Sequence, residues 1–137
     1  MWNRGLLFGS FDGIHEGHLY LLKMAKSQAQ QLTVSLAPNE VIEELKGHAP
    51  IESFEQRSHA LLATGLVDKV IASDTVAGSY KVVLAEDPDV IFFGYDQQAL
   101  QSNFESFARS VGSRQDLVTI PPFKPSVFKS SLLNRYD

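Results

Sequence analysis

The 137-residue chain contains no cysteine. That excludes disulfide bridges, thiolate nucleophiles and cysteine-ligated zinc. A cysteine-free chain suits a reducing compartment, and Met1-Trp2-Asn3-Arg4 leads into too short an apolar run for a signal peptide. The expected location is therefore the cytoplasm. No apolar run approaches the roughly 20 residues of a membrane helix, so no membrane partner is expected. Basic residues are also scarce: 12 Lys and Arg stand against 16 Asp and Glu, for a net charge of −4 with no block of one sign. A nucleic-acid binder generally carries a basic stripe, so no nucleic-acid partner is expected. What is present is an ordinary globular composition, 44% hydrophobic and 20% charged, in a chain long enough for one core. The expectation is a single domain over 1–137.

Strand-like and helix-like segments alternate, without internal repeats or low-complexity stretches. Strands are expected at Gly5–Phe8, Gln31–Ala37, Asp68–Ala72, Val90–Phe93 and Leu117–Ile120. Val90–Phe93 is apolar at every position, so it belongs inside the sheet with both faces covered. Helices are expected over Leu19–Ala25, from an Asn39 cap to Leu45, from Ser53 to about Thr64, over Tyr80–Glu86 and over Gln97–Val111. Ser53 with Gln56 three residues on forms a capping box. A last short helix is capped by Ser130 or Ser131. Five strands joined by right-handed crossovers make an α/β fold, a Rossmann-like doubly wound parallel sheet. Ligands of such sheets bind beyond the C-terminal strand ends, at the switch point.

The stretch Gly9-Ser10-Phe11-Asp12-Gly13-Ile14-His15-Glu16-Gly17-His18 joins the first strand to the first helix. A glycine-rich turn opening a helix gathers free N–H groups and the positive end of the helix dipole, which together suit an anion. His15 and His18, alone, could be helix-start histidines bonded to water or backbone. As a metal pair they lack an evident third ligand. Beside this turn they suit phosphate oxygens, with Gly17 letting the backbone come close to a ligand. Asp12 is expected to bond the backbone of its own turn.

Gly9-Ser10-Phe11-Asp12 followed by His15-Glu16-Gly17-His18 resembles the Gly-Thr-Phe-Asp…His-x-Gly-His signature of the cytidylyltransferase-like nucleotidyltransferases. The resemblance continues through Lys46-Gly47-His48-Ala49-Pro50-Ile51…Glu55-Gln56-Arg57, Gly94-Tyr95-Asp96-Gln97 and Lys129-Ser130-Ser131, in the family's order along nearly the whole chain. It implies transfer of a nucleoside monophosphate from ATP or CTP to a phosphate monoester, with release of pyrophosphate. It implies catalytic roles for His15, His18, Lys46 and Arg57, the last two on the triphosphate and leaving group. It implies nucleotide contacts from Gly9, Ser10, Phe11, Gly17, Gly94, Asp96, Ser130 and Ser131. Without the resemblance, Lys46 and Arg57 would pass for exposed basic residues, and Asp96 for a helix cap. Mg²⁺ is expected to arrive on the triphosphate, with no protein ligand set, and the resemblance suggests a homodimer. Asn134 stands where the family has an arginine, and Arg135 would point about 100° further round a helix. Within the family these stretches look most like the archaeal-type FAD synthase branch, which adenylylates FMN. Glycerol-3-phosphate cytidylyltransferase is a close relative, and a non-catalytic nucleotide-binding module is the alternative of another class.

Overall fold

A computed structural model describes residues 1–123; Lys129, Ser130, Ser131, Asn134, Arg135 and the expected last helix lie outside the described residues. The described residues form ten elements, strands and helices alternating except where the second and third helices follow one another. They are β1 (Trp2–Gly9), α1 (Glu16–Lys26), β2 (Ala29–Leu36), α2 (Asn39–Lys46), α3 (Phe54–Ala63), β3 (Lys69–Ala72), α4 (Lys81–Glu86), β4 (Val90–Gly94), α5 (Gln98–Val111) and β5 (Asp116–Ile120). All four strand pairings are parallel, and the order across the sheet is β3-β2-β1-β4-β5. The chain thus winds outward from β1 to β3, crosses back, and winds outward again through β4 and β5. The reversal lies between β1 and β4, the switch point of a doubly wound sheet.

The period of two in each strand builds two cores. Leu7, Val90 and Phe92 point to one face, where they pack with Leu22 and Ala25 of α1 and Leu61 of α3. Leu6, Phe8, Ile91 and Phe93 point to the other, against Tyr80, Val83 of α4 and Phe104 of α5. This explains why Val90–Phe93 carries no polar residue: β4 lies between β1 and β5 with both faces covered.

Two helix starts differ from expectation. Helix α1 begins at Glu16, three residues before Leu19, because His15 caps it. Helix α2 is preceded by Pro38 and already includes Asn39, whose side-chain oxygen accepts a hydrogen bond from Arg57 Nη2 at 2.8 Å instead of capping. The Ser53–Gln56 box forms as expected, with Ser53 Oγ accepting from Gln56 N at 3.1 Å and Gln56 Oε1 accepting from Ser53 N at 2.9 Å.

Candidate functional site

The β1–α1 turn stands at the C-terminal end of β1, beside the switch point. Its two histidines form a capping box of their own. His15 Nδ1 accepts the Gly17 N–H at 3.1 Å, and His18 Nδ1 accepts the His15 N–H at 3.3 Å. Imidazole nitrogens here play the parts that a serine oxygen and a glutamine oxygen play at α3. A nitrogen that accepts a hydrogen bond carries no proton, so each neutral ring holds its proton on Nε2. The three-residue spacing therefore has a mechanical reason. It fixes both tautomers and leaves two Nε2–H donors at a helix N-terminus. The rings stack at 3.8 Å between centroids, 23° apart in plane.

The pKa of His18 is pushed down to about 4. Burial is the main cause, and His15 and Lys46 add to it, while Asp96 and the Gly13 backbone oppose it. His18 is thus a neutral donor at physiological pH. A depressed histidine pKa also fixes a sign for stability. Its contribution is fully present above about 6.5, the unfolded value, and is lost as pH falls through about 4. The free energy of unfolding of the native chain should therefore fall more steeply between those limits than that of His18→Gln, which keeps an accepting side chain at the box. Parallel curves in denaturant titrations across this range would contradict the assignment.

Gly17 serves a different neighbour from the one expected. A Cβ there would stand 3.0 Å from His15 Cε1 and 3.2 Å from its Nδ1. The glycine makes room for the capping ring itself, so close ligand approach is not needed to explain it. Phe11 has its side chain in the core, 3% exposed, so the ring itself is not presented to a ligand. Gly9 lies under that ring, where a Cβ would meet Phe11 Cε2 at 2.5 Å.

Asp12 is structural, as expected, but it reaches across the fold and not within its own turn. Its carboxylate accepts from Ile51 N at 2.8 Å and Glu52 N at 2.9 Å, and Glu52 Oε1 in turn accepts from Gly13 N at 3.1 Å. Burial pushes the Asp12 pKa up, but the two N–H bonds and the charges of Arg57 and Lys46 outweigh it and hold it below the usual value. These bonds tie the segment between α2 and α3 to the histidine turn. Lys46, exposed at the end of α2, is near enough for its charge to act on both Asp12 and His18.

Arg57 departs most from expectation. It is neither an exposed helix residue nor a free phosphate ligand: its exposure is 0%. Nε donates to Glu52 O at 3.0 Å, Nη1 to Ser10 O at 3.0 Å and to Ala37 O at 2.7 Å, and Nη2 to Asn39 Oδ1 at 2.8 Å. Four of its five N–H donors are thus spent on protein oxygens. Its guanidinium carbon lies 5.8 Å from the Phe54 ring centroid. Burial lowers its pKa, against the opposing charges of Asp12, Glu52 and Glu55. The fork joins the β1 turn, the end of β2, the start of α2 and the entry to α3. Asn39, its partner, is a site-building residue that sequence reading takes for a cap.

Across the switch point, Gly94 is buried and Asp96 exposed. The cap position of α5 is Gln97, so Asp96 is not a helix cap; its charge reaches His18. A Cβ on Gly94 would stand 3.0 Å from Asp96 Oδ1. Gln97 stands in the Gly94-Tyr95-Asp96-Gln97 motif, but the motif reading gives it no role. Its Oε1 accepts from Gly94 N at 2.8 Å and its Nε2 donates to Phe8 O at 3.0 Å. One amide side chain therefore clasps the ends of β4 and β1, the two walls of the crevice. The only sequence signal for it is its place directly after Gly94-Tyr95-Asp96. Among the described residues no group of three or more His, Asp or Glu side chains converges as a metal-ligand set, and no helix is long and apolar enough to cross a membrane.

The described site residues gather at the C-terminal edge of the sheet, from turns that follow β1, β2 and β4. The FAD synthase of Thermococcus sibiricus is 33% identical over 124 residues, covering 90% of this chain and 84% of that protein. The FAD synthase of Pyrococcus abyssi is 33% identical over 118 residues, covering 86% and 80%. Among solved structures, the lipopolysaccharide core biosynthesis protein of Thermoplasma volcanium superposes with a TM-score of 0.80 at 27% identity, over 90% of this chain and all of that one. The pantoate-beta-alanine ligase of Francisella tularensis shares the fold alone, with a TM-score of 0.65 at 13% identity over 91% of this chain and 61% of that one. The profile of the cytidylyltransferase-like family spans residues 6–135, and with the histidine turn placed at the switch point the chain belongs to that family of nucleotidyltransferases.

Proposed function

We propose that this chain is an FMN adenylyltransferase, moving AMP from ATP to the phosphate of FMN. The observation that carries the reaction class is the histidine capping box, which presents two Nε2–H donors at a helix start. The observation that favours FMN over other acceptors is the likeness to FAD synthases across most of both chains.

The second pKa of a phosphate monoester is about 6, so the attacking oxygen is already anionic at neutral pH and no general base is required. That oxygen forms a bond to the α-phosphorus. The bond from the α-phosphorus to the bridging oxygen breaks, and its electron pair leaves with pyrophosphate. The protein's task is to reduce repulsion between anions, align them, and stabilise charge that grows in the transition state. His15 and His18 do so from Nε2, as neutral donors held by the helix cap. Lys46 attracts the triphosphate and leaving group. Arg57 acts through the backbone, holding the Ser10 and Ala37 carbonyls and therefore the turns that bear the N–H groups. Gly9, Ser10 and the Phe11 backbone line the phosphates. Gly94 and Asp96 face the nucleoside, and Ser130 and Ser131 are assigned to phosphate oxygens by resemblance. Mg²⁺ would arrive with the triphosphate and would offset its negative charge, with no ligand set from this chain assigned to it. The same reading makes the protein a cytoplasmic homodimer with one nucleotidyltransferase domain over 1–137.

Pyrophosphate release from ATP or CTP, each paired with FMN or glycerol 3-phosphate, tests the reading. Release with ATP and FMN is expected. Release only with CTP and glycerol 3-phosphate would replace it by the cytidylyltransferase alternative. Nucleotide binding without release from any pair would leave a binding module.

A further inference from the structure

Phe11 is the only non-glycine residue of the histidine turn in the left-handed region, with φ of 45°. A bulky side chain is rare there, and such backbone persists where its surroundings over-determine it. The surroundings are specific. The ring is buried with Leu7 and Leu22 in the core on the α1 face. It lies over Gly9, where no other residue would leave room for it. It meets the His18 ring at 5.1 Å between centroids, tilted by 56°, and His18 stacks in turn on His15. Three rings thus run from the core to the helix start.

We propose that Phe11 is a positioning residue of the transfer site: its ring, aimed by a left-handed backbone, fixes the plane of His18 and keeps water from that side of it. The functional half of this proposal rests on the nucleotidyl-transfer reading; the structural half does not. The Phe11 ring touches no substrate and acts through His18. The charged and titratable groups around His18 are His15, Lys46 and Asp96, which stay in place when Phe11 changes, while burial is the largest cause of its low pKa. Losing the ring lets water reach the imidazole and frees its rotation, so that Nε2–H no longer holds one direction. Ordinary core packing would predict lost stability alone.

The test compares Phe11→Leu, which keeps apolar bulk, and Phe11→Tyr, which keeps the ring, with the native chain. Histidine Cε1–H resonances are titrated by NMR without substrate, and kcat and KM are measured with ATP and FMN. In the native chain His18 titrates at about 4. In F11L its pKa rises toward the ordinary histidine value as desolvation is relieved, and kcat falls about 100-fold, the scale of a misplaced reacting group. KM for ATP stays within about threefold, since the ring makes no nucleotide contact. F11Y, which keeps the ring beside His18, keeps the low titration. Unmoved His18 titration in folded F11L, or an unchanged kcat, would overturn the proposal. Should F11L not fold, Phe11→Met carries the same comparison, being unbranched and adaptable. A native chain that releases no pyrophosphate from any substrate pair sinks the reaction reading, and the substrate-free titration still decides the role of Phe11.

Discussion

Replacing His18 with alanine should lower kcat by about 100- to 1,000-fold, the usual effect of removing one preorganised donor to developing charge. Nucleotide affinity, measured by calorimetry, should change far less, because the donor strengthens its bond in the transition state more than in the ground state. The alanine variant also breaks the helix cap, since His18 Nδ1 accepts the His15 N–H, and losing a cap costs about 1 kcal/mol. His18→Gln separates the two effects. A glutamine at this position can still accept the N-cap N–H, as Gln56 does at α3, so thermal stability should recover while kcat stays low. Recovery of kcat to near the native value in H18Q would show that the imidazole serves only as a cap, and the transfer mechanism would lose its centre.

Replacing Arg57 with alanine should be the most destabilising single change at the site. An exposed helix arginine would cost within about 0.5 kcal/mol. Arg57 is fully buried, and its removal leaves the carbonyls of Ser10, Ala37 and Glu52 and the Asn39 side chain short of a donor. Breaking such a buried charged network costs about 3–5 kcal/mol, read as a lower denaturant midpoint with an unchanged slope. Arg57→Lys should recover little of it. An ammonium has three hydrogens on one centre and cannot span four acceptors laid out for a planar fork. Should R57A instead unfold at the native midpoint and show only a raised KM for ATP, the arginine would be a phosphate ligand and the buried network energetically idle.

The element order was legible because Gln31–Ala37 alternates polar and apolar residues, Leu19, Leu22 and Ala25 repeat at about 3.6, and caps and breakers mark the other helices. Val90–Phe93 announced its interior place by having no polar residue. The boundaries that shifted did so for local reasons. Helix α1 starts early because a histidine does the work of a serine, and propensity does not anticipate that. Asn39 looks like a cap by type, but a distant arginine claims its oxygen. The site was legible as a set of motifs on one edge, because β1, β2 and β4 all deliver their turns there. The roles within it were less so. Arg57 and Asp12 act on residues far away in the chain, such as Ser10 and Ile51, and Gln97 clasps a strand 89 residues away. No local spacing encodes those partners.

The sequence alone thus determined the class of fold, the sheet edge on which the motifs fall, and the strand–turn–helix character of the Gly9–His18 stretch. These follow from periodicity and from the local geometry of a glycine-rich helix start, which neighbouring residues settle between them. Only the tertiary structure decided which nitrogen of each histidine accepts a backbone N–H, that Gly17 makes room for the His15 ring, and that Arg57 supports the turns from within. Those are matters of contact between segments remote in the chain or of rings folded back on the backbone. They are set by burial and by the demand that every buried donor and acceptor find a partner.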